Sequence, residues 1–146
     1  MQDGDALIGS WRLESFELRA SNGEVSHPYG EDLVGYLFYN DDGFMSAAFM
    51  SARRALASES DLARAAESSS YDEFTAYSGP FEVIGDRVVH QVEVASLEAL
   101  VGSRQERWWK VDGARLELLT APLDVAGDVP VGRLVWRRAR HAPPPA

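Results

Sequence analysis

The stretch VGYLFYNDDGFMSAAFM, residues 34–50, reads as two short runs of large side chains on either side of a polar turn. Asn40–Asp41–Asp42–Gly43 is built from residues that accept positive φ, so it predicts a hairpin. Successive strand residues point to opposite faces. In 34–40 this puts Leu37 and Tyr39 on one side and Tyr36 and Phe38 on the other. In 44–50, Met45, Ala47 and Phe49 alternate together. A helix of 3.6-residue period leaves no such pattern.

The same grammar recurs on both sides. GSWRLESFELRA (9–20) is a first strand ending at the turn SNGE. AYSGPFEVIG (76–85) and RVVHQVEVA (87–95) flank a tight turn at 85–86, and RQERWWKV (104–111) and ARLELLT (114–120) flank VDG. GRLVWRR (132–138) closes the series, with 96–103 and 121–131 as connections. Only ARRALASESDLARAAESSSYDEF (52–74) breaks the rule. It is rich in Ala, Glu and Arg, and Ser58 followed by Asp61 fits a capping box, so a helix is expected within 59–74.

The expected fold is all-β: about eight antiparallel strands in up-and-down order, with one α-helix inserted after the third. An open sandwich and a closed barrel both accommodate hairpin-linked strands. The barrel is favoured, because closure removes exposed edges and eight strands enclose a space that side chains fill or one small ligand occupies. The domain spans 7–138. Residues 1–6 and 139–146 lack a pattern that would bury them and are expected to be disordered.

Composition narrows the function. A formal charge of −9 argues against nucleic acid and anionic membranes as partners. The one basic cluster, RRARH (137–141), reads as a solvated strand end. With no cysteine, thiolate chemistry and Cys-based metal sites are excluded. His27, His90 and His141 have no metal-ligand spacing, and no phosphate loop, dinucleotide fingerprint or nucleophile elbow is present. No metal or cofactor is expected. Without a leader-like start or an apolar run of the ~18 residues that span a bilayer, a cytoplasmic location is expected, and homodimerisation is left open.

Several of these residues carry a family resemblance. Gly9-Ser-Trp11 is similar to the G-x-W opening of lipocalins, with the arginines of 132–138 placed to cover Trp11. HPYGEDLVGYLFYNDDGFMS (27–46), AYSGPFEV (76–83), H-x-V-E-V (90–94) and G-x-x-Q-x-R-x-W (102–109) together resemble the bacterial stand-alone lipocalin-like domain proteins. The resemblance runs from about residue 7 to 138. It implies an eight-stranded antiparallel barrel with a cavity. Similar barrels also serve as cofactor-free cyclases, Diels–Alderases among them, in natural-product pathways.

Alternation then selects the inward groups. In 104–111 the less charged face carries Gln105, Arg107, Trp109 and Val111. In 87–95 the apolar face carries Val88, His90, Val92 and Val94, and in 76–83 it carries Tyr77, Gly79, Phe81 and Val83. Leu37, Tyr39, Met45, Ala47 and Phe49 complete the lining, with Ala47 leaving room for a ligand. His90, Arg107 and Tyr39 are the candidate catalytic groups: an imidazole or phenol to move a proton, a guanidinium to stabilise an enolate or carbonyl oxygen. Candidate ligand contacts are Tyr77, Gln105, Trp109, Leu37, Met45, Ala47, Phe49, Phe81, Val92 and Tyr29.

A buried guanidinium needs a partner. Arg107 either meets a ligand or is satisfied by Glu93, tyrosine hydroxyls or water and staples the barrel. The loop 27–33 is either an ordered entry to a strand or a lid whose Tyr29 touches ligand. A small hydrophobic or amphipathic organic molecule is the expected partner. A binding or carrier barrel and a cofactor-free isomerase or cyclase of polyketide-type biosynthesis are the two leading functions, and a filled structural domain is the third.

Overall fold

The hairpin at 34–50 forms in the expected register. Strand β3 (Leu33–Tyr39) pairs antiparallel with β4 (Phe44–Ser51), placing Tyr39 opposite Met45, Leu37 opposite Ala47 and Gly35 opposite Phe49. Gly43 takes φ 95° at the turn, and its N–H donates to Asn40 O at 3.1 Å. That left-handed conformation is why glycine closes this loop. The computed structural model describes residues 3–52, 74–122 and 130–141.

The other strands are β1 (Gly9–Arg19), β2 (Val25–Ser26), β5 (Phe74–Ile84), β6 (Arg87–Gln91), β7 (Val94–Ala95), β8 (Arg104–Asp112), β9 (Arg115–Thr120) and β10 (Val131–Arg138). Their order in the sheet is β10-β9-β8-β6-β5-β4-β3-β1, and β1 also pairs β10. The sheet therefore closes as an eight-stranded antiparallel barrel, with the two-residue strands β2 and β7 as additions. The expected helix is not borne out. Its one described residue, Phe74, opens β5, and 59–73, with the Ser58 and Asp61 cap, lie outside the described residues.

Strand β1 makes the closure. Gly9–Arg12 pair with β3, and Trp11–Arg19 pair with β10, with an irregularity between Leu13 and Ser15 where the strand bends from one neighbour to the other. Across this seam Arg133 of β10 lies 2.8 Å from Glu17 of β1 and 2.8 Å from Glu117 of β9, a charged strap over three adjacent strands.

One barrel end is plugged. Gly4–Leu7 form a 3-10 turn whose Asp3 side chain accepts from Asp5 N at 3.0 Å, so residues expected to be disordered are seated here instead. Leu7 is fully buried, and Trp11 Nε1 donates to Leu7 O at 2.9 Å. Arg138 is the arginine that covers Trp11: its guanidinium sits 4.0 Å from the ring centre and donates to Ala6 O and Ile8 O, each at 2.8 Å. The ring's negative face and the two carbonyls hold the cation together.

Gly79 marks a tight crossing. The chain leaves the β6 ladder after Gln91 and rejoins β5 through β7, so the expected continuous strand 87–95 is broken. A Cβ at Gly79 would lie 1.8 Å from Gln91 O, a distance no side chain tolerates.

Candidate functional site

The cavity lies at the opposite end of the barrel from the Gly4–Leu7 turn. Its volume is about 290 Å³, near the lower size of small-molecule sites. Its wall has two halves that follow the strand order. Neighbouring strands β9, β8, β6 and β5 contribute Thr120, Arg107, Gln105, His90, Tyr77 and Thr75. Strands β4, β3, β1 and β10 contribute Phe49, Ala47, Leu37, Phe16, Leu18, Leu134 and Trp136. The first half also carries Leu118, and Leu97 and Leu100 of the 96–103 connection line the hollow, so its polar groups are gathered on one side of a mostly apolar lining.

The apolar half is an aromatic cluster. Phe16 meets Tyr29 and Phe49 edge-on at 5.5 and 5.7 Å between ring centres, and Phe49 meets Trp136 edge-on at 6.3 Å. Such pairs contribute about 0.5–1.5 kcal/mol each beyond burial. Tyr29 joins this cluster from the 27–33 loop, and its hydroxyl is hydrogen-bonded to Thr75 Oγ1 at 2.5 Å. The loop thus brings Pro28 and Tyr29 onto the cavity, while His27 stays outside, 4.0 Å from Glu31.

The polar half centres on a hydrogen-bonded chain. His90 is 1% exposed, with Nε2 at 2.6 Å from Tyr39 Oη and Nδ1 at 2.8 Å from Tyr77 Oη. Register explains the meeting: His90 pairs with Gln105 and Phe81, while Tyr77 lies further along β5 on the same inner face. Burial first, and then the nearby Arg107 charge, lower the His90 pKa from 6.5 to about 3. The imidazole is therefore neutral at physiological pH. Burial raises the Tyr77 pKa, partly countered by the charge of Arg107. Burial also raises Tyr39 well above the ordinary phenol value, so both phenols keep their protons.

Two tautomers fit these contacts; the one in which Tyr39 donates to His90 Nε2 and His90 Nδ1–H donates to Tyr77 Oη gives each of these buried protons an acceptor and leaves the Tyr77 hydroxyl proton for a ligand. Both imidazole nitrogens are then occupied. His90 positions the two phenols, and the groups that present themselves to a ligand are Tyr77 and Arg107.

Arg107 is half-buried. It donates to Glu106 O at 2.8 Å and to Gln105 Oε1 at 3.4 Å. Gln105 is fixed in turn by its Nε2, which donates to Ser103 Oγ at 2.8 Å. Of the partners expected for a stapling Arg107, Tyr77 is near enough to feel its charge. Glu93 does not serve: it is exposed, and among the described residues no carboxylate pairs with Arg107.

Of the residues singled out from sequence, His90, Arg107, Tyr77, Gln105, Leu37, Ala47, Phe49 and Tyr29 line this cavity. Tyr39, Met45, Trp109, Phe81 and Val92 do not. They belong to the packed core around it, where Tyr39 and Phe81 meet edge-on with ring centres 4.8 Å apart and Trp109 Nε1 donates to Gly85 O at 3.2 Å. Sequence reading missed Phe16, Leu18, Pro28, Thr75, Leu97, Leu100, Leu118, Thr120, Leu134 and Trp136. Alternation in β9 and β10 would have placed Leu118, Thr120, Leu134 and Trp136 on one face. A wider concavity of about 750 Å³ lies on the outer barrel wall by Arg12, Tyr36, Phe38 and Arg138. Arg12 and Arg138 are exposed and already engaged with Tyr36 and Trp11, which makes the interior the better candidate. Among the described residues no cluster of potential metal ligands occurs and no helix is long and apolar enough to cross a membrane.

Residues 8–139 match the family model described as a lipocalin-like domain. The chain belongs to the lipocalin-like domain family. Two solved structures are similar to this lipocalin-like domain: a lipocalin-like protein from Bacteroides uniformis ATCC 8492 and an uncharacterized protein from Bacteroides eggerthii DSM 20697. Each is 12% identical, with a TM-score of 0.46 over 91% of this chain, covering 98% of the first and 99% of the second. No curated protein matches the chain. The barrel expected from sequence and the family agree, and the lipocalin-like domain supplies a ligand-binding type of fold.

Proposed function

We propose that the barrel binds one small amphipathic organic molecule between the aromatic cluster and Arg107. The observation that carries this reading is the divided wall: an unfilled hollow with Phe16, Phe49 and Trp136 on one half and Tyr77, Gln105 and Arg107 on the other. A structural domain has no use for an unfilled interior, because voids forfeit packing. Uptake of a neutral environment-sensitive dye tests it, with Ala47→Trp as the blocked control. Saturable one-to-one uptake by the native chain, lost in an Ala47→Trp variant of unchanged circular dichroism, is expected. A native chain that takes up no apolar probe refutes the proposal.

The chain Arg107–Tyr77–His90–Tyr39 favours a second reading, a cofactor-free isomerase or cyclase of the Diels–Alderase kind acting on polyketide-like substrates. Confinement would hold the reacting carbons together. The Tyr77 hydroxyl and the Arg107 guanidinium would donate to a carbonyl oxygen as it gains charge. Tyr77→Phe and Arg107→Leu should then each slow turnover more than about tenfold, since one oxyanion donor contributes 10²–10³ in well-studied cases. Native rates in both variants discard this reading and leave the binding barrel standing.

A further inference from the structure

Arg107 brings a full positive charge to a hollow whose other described lining groups are neutral. Its hydrogen-bond partners are a backbone carbonyl and a carboxamide oxygen, neither of which carries charge. The nearby acids are engaged elsewhere: Glu106 bonds Arg87 at 3.3 Å, and Glu17 and Glu117 share Arg133. Gln105 is pinned by Ser103 so that its carbonyl oxygen, not its amide, faces the guanidinium. A guanidinium has five N–H donors in a planar fork that matches two oxygens of one anion. The bonds just described leave part of that fork free on the cavity side.

The free part of the Arg107 fork has no acceptor supplied by the protein, and what would satisfy it is an oxygen of a ligand.

We propose that the ligand of this cavity is an organic anion, with a carboxylate or enolate oxygen pair on the Arg107 fork and its hydrocarbon body on the Phe16–Phe49–Trp136 wall. This rests on the reading of the cavity as a binding site and adds the charge of what it binds. Glu106 O and Gln105 Oε1 hold the guanidinium at the polar half. A cation at this position would meet Arg107, and a neutral alcohol would leave its charge uncompensated.

The test uses octanoate, octanol and octylamine, each competing with a neutral dye in the native chain. These probes share one body and differ in head charge. Octanoate should displace the dye at least about tenfold more effectively than octanol, the scale of a charge-assisted hydrogen bond, with octylamine weakest. In Arg107→Gln the three should converge to within about threefold while dye uptake persists. If that variant does not fold, the order in the native chain alone decides. Octanol equal to or better than octanoate, with the dye bound normally, overturns the anion assignment and leaves the binding cavity intact. Absence of dye uptake by the native chain overturns both.

Discussion

His90 gives the barrel a defined acid sensitivity. In the unfolded chain an exposed histidine titrates near 6.5, whereas the folded site lowers this one to about 3. Between those values the unfolded chain holds a proton that the folded chain refuses. Stability from this site is therefore intact above about pH 6.5 and falls as pH drops toward 3. The slope is about 1.4 kcal/mol per pH unit for one proton. At pH 4.5, two units below the unfolded value, the loss is about 3 kcal/mol, and below pH 3 it approaches about 5 kcal/mol. Against a typical domain stability of about 5–15 kcal/mol the first figure is measurable and the second is close to decisive. Urea unfolding at pH 7 and pH 4.5, in the native chain and in His90→Gln, isolates it. Glutamine keeps a donor and an acceptor for Tyr39 and Tyr77 but cannot titrate, and every carboxylate is common to both proteins. The native chain should lose about 3 kcal/mol more than the variant over this interval. Equal losses, within about 0.5 kcal/mol, would refute the buried neutral imidazole.

Two further predictions concern the frame. Gly79→Ala should destabilise the barrel by about 3 kcal/mol or more, or prevent folding, because its new methyl would run into the Gln91 carbonyl and overpacked sites cost about 1–3 kcal/mol even where neighbours yield; an unchanged thermal midpoint would show that the β5–β6 crossing is looser than described. Arg138→Ala removes the cation over Trp11 and two hydrogen bonds to the Gly4–Leu7 turn, so it should cost about 1–3 kcal/mol in urea unfolding and release the N-terminal turn to hydrogen exchange; native protection of Leu7 and Ile8 would contradict the plug.

The barrel was legible because its strands advertise themselves twice, by period-two alternation and by turn residues. Leu37, Tyr39, Ala47 and Phe49 faced inward as their spacing required. Alternation, however, gives a face and not a depth. Tyr39, Met45, Phe81 and Trp109 share that inner face with the lining residues yet pack in the filled part of the barrel, and nothing in their local sequence separates the two groups. His90 illustrates the same limit. Its inward orientation followed from Val88 and Val92, but the saturation of both ring nitrogens depends on β3, β5 and β6 meeting in one register. That changes its role from a proton carrier to a positioning group.

The Gly4–Leu7 turn was missed because four residues without periodicity give no signal. It holds its place through tertiary contacts of Leu7 with Trp11 and of Ala6 with Arg138. Tyr29 was placed at the rim from the loop's composition alone, and the structure adds the Phe16 and Phe49 rings and the Thr75 hydroxyl that fix it.

The most direct test of the central claim, that the hollow and not the outer wall receives the ligand, is a nuclear Overhauser map of a bound amphipathic anion such as octanoate. Contacts from its chain to the Ala47 and Leu134 methyls and to the Phe49 ring, with the Arg107 guanidinium protons shifted by its carboxylate, are the predicted result. Contacts confined to Tyr36, Phe38 and Val34 on the outer face of β3, with the Ala47 and Leu134 signals unmoved, would contradict it.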